Sequence, residues 1–252
     1  MRIVLGALVC VGVLASAPAR ANDADICAVP AYLLTSDSAL PKVAAAVKDY
    51  RQLNIVVVGS RSSSLNGPDG SASSYPARLE AALREKLPSI EVHVTLDLRA
   101  KQSAAEVAAE LEKIGQESKP TLVVWQTGTV DAMRSIDPDD FRAGLDDGVA
   151  ILQKLNTDVI LMNLQYSPRM ETMIAVAPYN DTIRVVAQQR NVPMFDRFAI
   201  MRQWSDAGDF DLFGPAHGFG MAKRVHDCIG RALAKLVIES AHINPAALGI
   251  QR

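Results

Sequence analysis

Apolar runs of strand length alternate with helix-forming segments along most of this 252-residue chain. The runs are Asn54–Gly59, Glu91–Leu96, Thr121–Gln126, Asp158–Leu164 and Val192–Phe195. Val and Ile dominate them, and the apolar residues are continuous rather than alternating, which predicts strands buried on both faces. The segments with helical spacing are Tyr75–Leu87, Ser103–Gln116, Asp139–Leu155, Tyr179–Arg190 and Met221–Ala241.

This alternation predicts a parallel sheet with helices packed on both of its faces. Five strands favour a flavodoxin-like, three-layer α/β/α sandwich, in which the ligand crevice lies at the carboxyl ends of the strands. No internal repeat or linker divides the chain. We therefore expect one domain over residues 22–252, with an N-terminal extension over 22–53 and a core over 54–240.

The N-terminus has the organisation of a secretory signal peptide. A basic start at Arg2 is followed by an apolar run to Ala17 and by the small residues Ala19 and Ala21. A membrane anchor is the alternative, but it needs about 20 apolar residues, and this run is shorter and is interrupted by Pro18. We predict a signal peptide over 1–21, cleaved after Ala21, and a periplasmic or secreted protein.

Cleavage would leave two cysteines, Cys27 and Cys228. In an oxidising compartment such a pair indicates a disulfide that ties the N-terminal segment to the last helix, although two buried free thiols are the alternative. The formal net charge of −2 and the absence of a Lys/Arg cluster argue against a nucleic-acid partner. No later apolar run is long enough for a membrane span.

A long loop rich in Ser and Gly follows the first strand, from Gly59 to a helix that begins near Tyr75. It starts with Ser60, Arg61 and Ser62, at the carboxyl edge of the predicted sheet. Functional loops gather at such edges, and a loop of this length is uncommon in a compact domain unless it has a function.

Four segments together resemble the SGNH (GDSL-type) ester hydrolases. They span Gly59–Arg84, Val123–Ala132, Leu161–Arg169 and Gly214–Leu233. The resemblance is closest to small bacterial periplasmic members whose nucleophile loop reads Gly-Ser-Ser-Ser-Thr. It implies transfer of an acyl group to water: a loop serine attacks an ester carbonyl, and a histidine three residues after an aspartate takes the proton. A serine amide, a glycine amide and an asparagine side chain would hold the oxyanion.

The resemblance places other residue types at these positions. Arg61 stands where the nucleophile is expected, and a guanidinium cannot attack a carbonyl. The oxyanion glycine falls near Lys101, where a side chain would crowd the approach of the backbone. Val130 replaces the asparagine and donates no hydrogen bond. Loss of one such donor typically costs about 10²–10³ in turnover.

The expected Asp-x-x-His before the last helix is also missing. If His217 is the catalytic histidine, Gly214 holds the aspartate position. If the alignment is anchored on Met221 and Cys228 instead, His217 replaces the aspartate and Gly220 replaces the histidine. We therefore expect no intact catalytic set. Ser62 with His217 is the only fallback.

The crevice is nevertheless rich in polar groups. An arginine fork suits a carboxylate or phosphate, and amide and phenol groups suit a sugar. Lys101 is expected to face the loop serines, and a pairing of Arg61 with Asp131 would be the inert alternative. The predicted ligand-binding residues are Ser60, Arg61, Ser62, Thr129, Asn163, Gln165 and Tyr166.

No cofactor or metal is predicted. His217, His226 and Asp227 are close in sequence, but His226 and Asp227 are neighbours on a helix and face different directions. His93 lies in a strand and is expected in the core. The sequence thus favours a non-catalytic module that binds an anionic or sugar-like small molecule or an envelope protein. The alternatives are an active ester hydrolase that uses Ser62 and His217, and a structural partner in an envelope complex.

Overall fold

The computed structural model of the protein describes residues 27–213 and 218–248. The predicted signal peptide over 1–21 lies outside these ranges, as do Gly214 and His217. The strands are β1 (Gln52–Gly59), β2 (Glu91–Leu98), β3 (Leu122–Gln126), β4 (Asp158–Met162) and β5 (Met194–Phe195). They form one parallel sheet in the order β2-β1-β3-β4-β5, which confirms the flavodoxin-like prediction.

Helices connect the strands and cover both faces of the sheet. In chain order they are α1 (Pro41–Ala45), α2 (Gly70–Ser73), α3 (Tyr75–Lys86), α4 (Ala104–Ser118), α5 (Thr129–Arg134), α6 (Pro138–Lys154), α7 (Pro168–Met173), α8 (Ala177–Arg190), α9 (Arg197–Asp206), α10 (Gly218–Ser240) and α11 (Pro245–Leu248). The five predicted helices correspond to α3, α4, α6, α8 and α10. Short 3₁₀ turns form at Ala31–Leu33 and Arg61–Ser63, and a π-helical turn at Ala46–Tyr50 follows α1.

Each face of the sheet has its own apolar core. On one face, side chains of α3 and α10 such as Leu83 and Leu233 pack against Val57. On the other, α4, α6 and α8 cover Trp125 and its neighbours. Burial of one large apolar side chain contributes about 1.5–3 kcal/mol, so both layers stabilise the sheet that positions the crevice.

Strand β2 departs from the prediction because it lies at the edge of the sheet. It pairs only with β1, and over Glu91–Leu96 exposed side chains alternate with the buried Val92 and the half-buried Val94 and Leu96. The expectation that this run is buried on both faces is therefore wrong. His93 is likewise exposed rather than in the core, with its Nε2 atom 2.9 Å from the Glu91 carboxylate.

A disulfide joins Cys27 to Cys228 and confirms the predicted pairing, with the two Cα atoms 5.0 Å apart. It attaches the segment before α1 to the middle of α10, across a sequence separation of 201. Within 27–213 and 218–248, no helix combines the length and the hydropathy that a bilayer crossing requires.

Candidate functional site

The loop after β1 turns sharply at its first residues. Gly59 ends the strand, and the 3₁₀ turn Arg61–Ser63 folds back over it. A Cβ atom at Gly59 would lie 2.1 Å from Ser63 Oγ, so only glycine permits this close approach. The turn places Ser60 and Ser62 at the carboxyl edge of the sheet, as predicted.

Gln126, the last residue of β3, binds the serines of this turn together. Its side-chain Nε2 atom donates hydrogen bonds of 2.9 Å to both Ser60 Oγ and Ser62 Oγ. Its Oε1 atom accepts from Ser63 Oγ, and the Tyr75 hydroxyl lies 3.4 Å from the same oxygen and 3.0 Å from Ser63 Oγ. We call these five residues the serine network. Gln126 is only 3% exposed, so the network is held by a buried amide at the carboxyl edge of the sheet.

Arg61 occupies a different environment from its neighbours. Its side chain is exposed and forms no hydrogen bond or ion pair with any residue in the described ranges. The predicted alternative, a pair with Asp131, is wrong. The Asp131 carboxylate is buried and accepts a hydrogen bond from the backbone N–H of Ala104 at the start of α4. Burial raises the pKa of Asp131 above its usual range.

The structure places the other residues that the family resemblance singled out as follows. Lys101 has a left-handed backbone (φ 68°), the conformation that favours a glycine, but its side chain is exposed and makes no hydrogen bond to the loop serines. Val130 lies in α5, beside Thr129, whose hydroxyl is buried without a partner. Gly220 is an exposed residue in the first turn of α10.

Arg197, like Gln126, was not among the predicted site residues. It begins α9, two residues after β5 ends, and is 1% exposed. Its guanidinium donates to Ser62 Oγ and to the Ser62 carbonyl, both at 3.2 Å, and to Gln165 Oε1 at 3.3 Å. It also lies over the Tyr75 ring, with Cζ 5.6 Å from the centroid.

No carboxylate pairs with Arg197 among the residues placed by the structure, and its Nε atom is buried without a partner. Desolvation therefore lowers the pKa of Arg197 to about 10. A buried guanidinium with only neutral partners is costly, because nothing offsets the hydration it has lost.

A cavity of about 230 Å³ lies beside Arg197, between α9 and α10. The apolar part of its lining consists of Met201, Leu212, Met221, Ala222 and Val225. The polar part consists of Gln165, Tyr166, Ser167, Arg197, Asp211 and His226. The cavity thus combines a guanidinium, a carboxylate and several neutral polar groups with an apolar patch.

His226 forms part of the wall between this cavity and the serine network. Its ring is 7% exposed, and Nδ1 accepts a hydrogen bond of 3.0 Å from the backbone N–H of Tyr75. Burial, with a smaller contribution from the charge of Arg197, lowers the pKa of His226 to about 3. The ring is therefore neutral at physiological pH, and it is bonded to backbone rather than to a serine hydroxyl.

The structure separates the predicted ligand-binding residues into distinct groups. Ser60 and Ser62 belong to the serine network, whereas Gln165 and Tyr166 line the cavity. Asn163 is 0% exposed and does not face the crevice. Its amide nitrogen donates to Asp196 and its oxygen accepts from the backbone N–H of Phe198, so it positions the start of α9.

Gln126 and Arg197 both stand at the carboxyl ends of strands, the edge at which the crevice was predicted. That position was the available sequence signal for them. Neither residue could be linked to Ser62 from the sequence, because the contacts join parts of the chain that are more than 60 residues apart. The described residues also contain no group of three or more His, Cys, Asp or Glu side chains that could hold a metal ion.

The model of the non-GDSL lipase-like family matches residues 26–243. Among solved structures, TesA is similar with a TM-score of 0.56 and 20% identity, covering 71% of this chain and 94% of TesA. A variant of the acetyl xylan esterase Axe2 from Geobacillus stearothermophilus is similar with a TM-score of 0.57 and 19% identity, covering 74% of this chain and 96% of Axe2. A search of curated proteins found no significant match. The family match spans most of the sequence, and we conclude that this chain belongs to the non-GDSL lipase-like family and has the SGNH/GDSL-type hydrolase fold.

Proposed function

We propose that this protein is a non-catalytic member of its family that binds a small anionic or sugar-like molecule at the carboxyl edge of the sheet. One observation supports this most directly. The hydroxyl groups of Ser60, Ser62, Ser63 and Ser64 are bonded to an amide, a phenol, a guanidinium, backbone or one another, and within 27–213 and 218–248 none of them is bonded to an imidazole or a carboxylate.

The surroundings of Ser62 are unsuited to a nucleophile. A serine attacks only after a nearby base has accepted its proton, and its oxygen needs a free lone pair directed at the carbonyl. Ser62 Oγ instead accepts hydrogen bonds from Gln126 and Arg197. A guanidinium does not act as a base in proteins. The two donors also occupy the lone pairs that would attack the substrate.

The charges of the crevice support an anionic ligand. Arg61 is exposed without a partner in the described ranges, and the next residue, Ser62, contacts the buried Arg197, whose acceptors are all neutral. Guanidinium groups bind carboxylates and phosphates through paired N–H groups. The Cys27–Cys228 disulfide supports a periplasmic or secreted location, because such bonds persist in oxidising compartments.

An esterase assay tests the absence of hydrolysis. The chain from residue 22 onward is incubated with p-nitrophenyl acetate and butyrate, beside Ser62→Ala and His217→Ala variants. We expect no turnover above the uncatalysed rate, or a rate that both variants retain. Turnover that either substitution abolishes would establish the hydrolase that uses Ser62 and His217 and would overturn the proposal.

A ligand screen tests the binding function. Thermal unfolding is followed in the presence of small carboxylates, inorganic phosphate and neutral sugars, and each hit is repeated with Arg61→Ala. We expect at least one compound to raise the melting temperature, and we expect Arg61→Ala to reduce the shift given by anions that enter past it. If no compound raises the melting temperature of the wild-type chain, the protein does not bind this ligand class.

A further inference from the structure

We infer that the cavity beside Arg197 binds a small organic monocarboxylate, with the carboxylate on the guanidinium and the apolar body between α9 and α10. This inference rests on the proposed binding function and names its ligand class. The ligand would provide the negative charge that the described partners of Arg197 lack. Those partners are Ser62 and Gln165, and both are neutral.

Gln165 is the contact that a ligand can replace. Its Oε1 atom accepts from Arg197 at 3.3 Å, the longest of the three contacts, and its side chain is half-buried and lines the cavity. Rotation of the Gln165 amide would open a guanidinium N–H group to the cavity. A carboxylate oxygen there would form a charge-assisted hydrogen bond, which is about twice as strong as the neutral bond it replaces.

The lining of the cavity indicates the chemistry of the part of the ligand that lies beyond its carboxylate. Met201, Leu212, Met221 and Val225 are apolar, so this part of the wall suits an alkyl body and offers no partner to the hydroxyl groups of a sugar. The cavity contains one guanidinium, and a single negative charge is enough to neutralise it. An anion with one charge and an apolar body fits both constraints.

The volume of the cavity indicates the approximate size of the ligand. A cavity of about 230 Å³ holds roughly seven or eight groups of about 30 Å³, the volume of one water molecule in the liquid. Hexanoate, with six carbons and two oxygens, has this number of heavy atoms. We therefore use hexanoate as the probe, acetate as the probe without an apolar body, and hexan-1-ol as the probe without charge.

Isothermal titration of the mature chain at pH 7.5 measures the binding of the three probes. We expect saturable binding of hexanoate, and binding of acetate and hexan-1-ol at least tenfold weaker. The Arg197→Gln variant removes the charge and should weaken hexanoate roughly tenfold to hundredfold, the range for loss of a hydrogen bond to a charged group. Equal binding of hexanoate and hexan-1-ol would overturn the assignment, because the guanidinium would then have no role.

A second variant avoids changing the buried guanidinium. Ala222 is half-exposed and lines the cavity, so Ala222→Phe fills the space without removing a polar contact. The substitution should weaken the binding of hexanoate at least tenfold. Ala246→Phe makes the same substitution at an exposed position in α11 and should leave binding unchanged. If Ala222→Phe binds hexanoate as the wild type does, the ligand is not in this cavity.

The outcomes also separate this inference from the proposed function. If phosphate or a sugar binds and hexanoate does not, the protein is still a binding module, but the assignment of a monocarboxylate is wrong. If hexanoate binds and Ala222→Phe weakens its binding, both the proposed binding function and the monocarboxylate assignment are supported. If none of these probes binds, both fail.

Discussion

The two polar regions of the crevice, the serine network and the surroundings of Arg197, differ in the charge of the groups that they bury. In the serine network, Gln126 and the hydroxyl groups around it supply each other with donors and acceptors, and all of them are neutral. Beside it, Arg197 places a full charge in the interior with only neutral acceptors. Neutral groups can be buried at little cost once they are hydrogen-bonded, whereas a buried charge needs an opposite charge.

Ser62 belongs to both regions, since it accepts from Gln126 on one side and from Arg197 on the other. The comparison teaches that the serines of the first loop are satisfied by neutral hydrogen bonds, whereas the β5 side of the crevice holds a guanidinium without a carboxylate partner in the described ranges. The buried charge with only neutral acceptors therefore lies at the start of α9 rather than in the loop after β1. Four predictions test how independent the two regions are.

The largest effect should come from the disulfide, which attaches the N-terminal segment to α10, the helix that forms one cavity wall. A double Cys27→Ser, Cys228→Ser variant opens a link between residues 201 apart. The chain-entropy relation gives a loss of about 5 kcal/mol in unfolding free energy. Urea unfolding measures it, with the reduced wild type as the matched control. A loss below about 1 kcal/mol would mean that packing alone holds α10.

The second prediction concerns His226, between the two regions. Its pKa is about 3 in the folded state against 6.5 as a free side chain, so folding favours the neutral ring. Above pH 6.5 the ring is neutral in both the folded and the unfolded chain, so it does not reduce the unfolding free energy. As the pH falls from 6.5 towards 3, only the unfolded chain gains the proton, and the unfolding free energy decreases. Below pH 3 both states are protonated and the decrease stops. The decrease in unfolding free energy over this interval is about 3–5 kcal/mol.

The His226→Gln variant keeps an acceptor for the Tyr75 N–H without a titrating ring. Its unfolding free energy should decrease by less than that of the wild type between pH 6.5 and 3. Asp131 and Asp158, whose pKa values burial raises, contribute a slope of opposite sign, but they are present in both proteins. Parallel pH profiles from urea unfolding would show that the His226 ring does not carry this dependence.

The third prediction tests the serine network alone. Gln126→Leu leaves Ser60, Ser62 and Ser63 without their shared partner. Buried hydroxyls that lose a partner cost about 1–3 kcal/mol, so we expect a loss of about 2–3 kcal/mol in unfolding free energy. Gln116→Leu, at an exposed position in α4, is the matched control and should change little. Equal effects of the two substitutions would show that the network is not a stabilising unit.

The smallest effect is expected at Arg61. Its side chain is exposed and unpaired within the described ranges, so Arg61→Ala should change the unfolding free energy by less than about 0.5 kcal/mol. The same variant should alter only the ligand response. Destabilisation by more than 1 kcal/mol would mean that Arg61 has a structural partner, and the contrast between an exposed and a buried cation would no longer hold.

The fold could be predicted because its signals are local. The continuous apolar runs of β1, β3 and β4 are buried as expected, and the strand order follows from alternation with helices. The prediction that the β2 run is buried on both faces was wrong, because burial of a strand depends on its neighbouring strands and an edge strand has only one. The short helices α5 and α9 were not predicted, since each has too few residues for a clear periodic pattern.

The sequence by itself predicted the parallel sheet and the Cys27–Cys228 disulfide, and the structure contains both. Each of these depends on residue type and spacing along the chain. Only the tertiary structure decided which polar groups share a site, and it brought Arg197 to Ser62, 135 positions earlier in the chain. The physical reason is that hydrogen bonding and desolvation act through space, and no local pattern records which distant side chain will meet a buried charge.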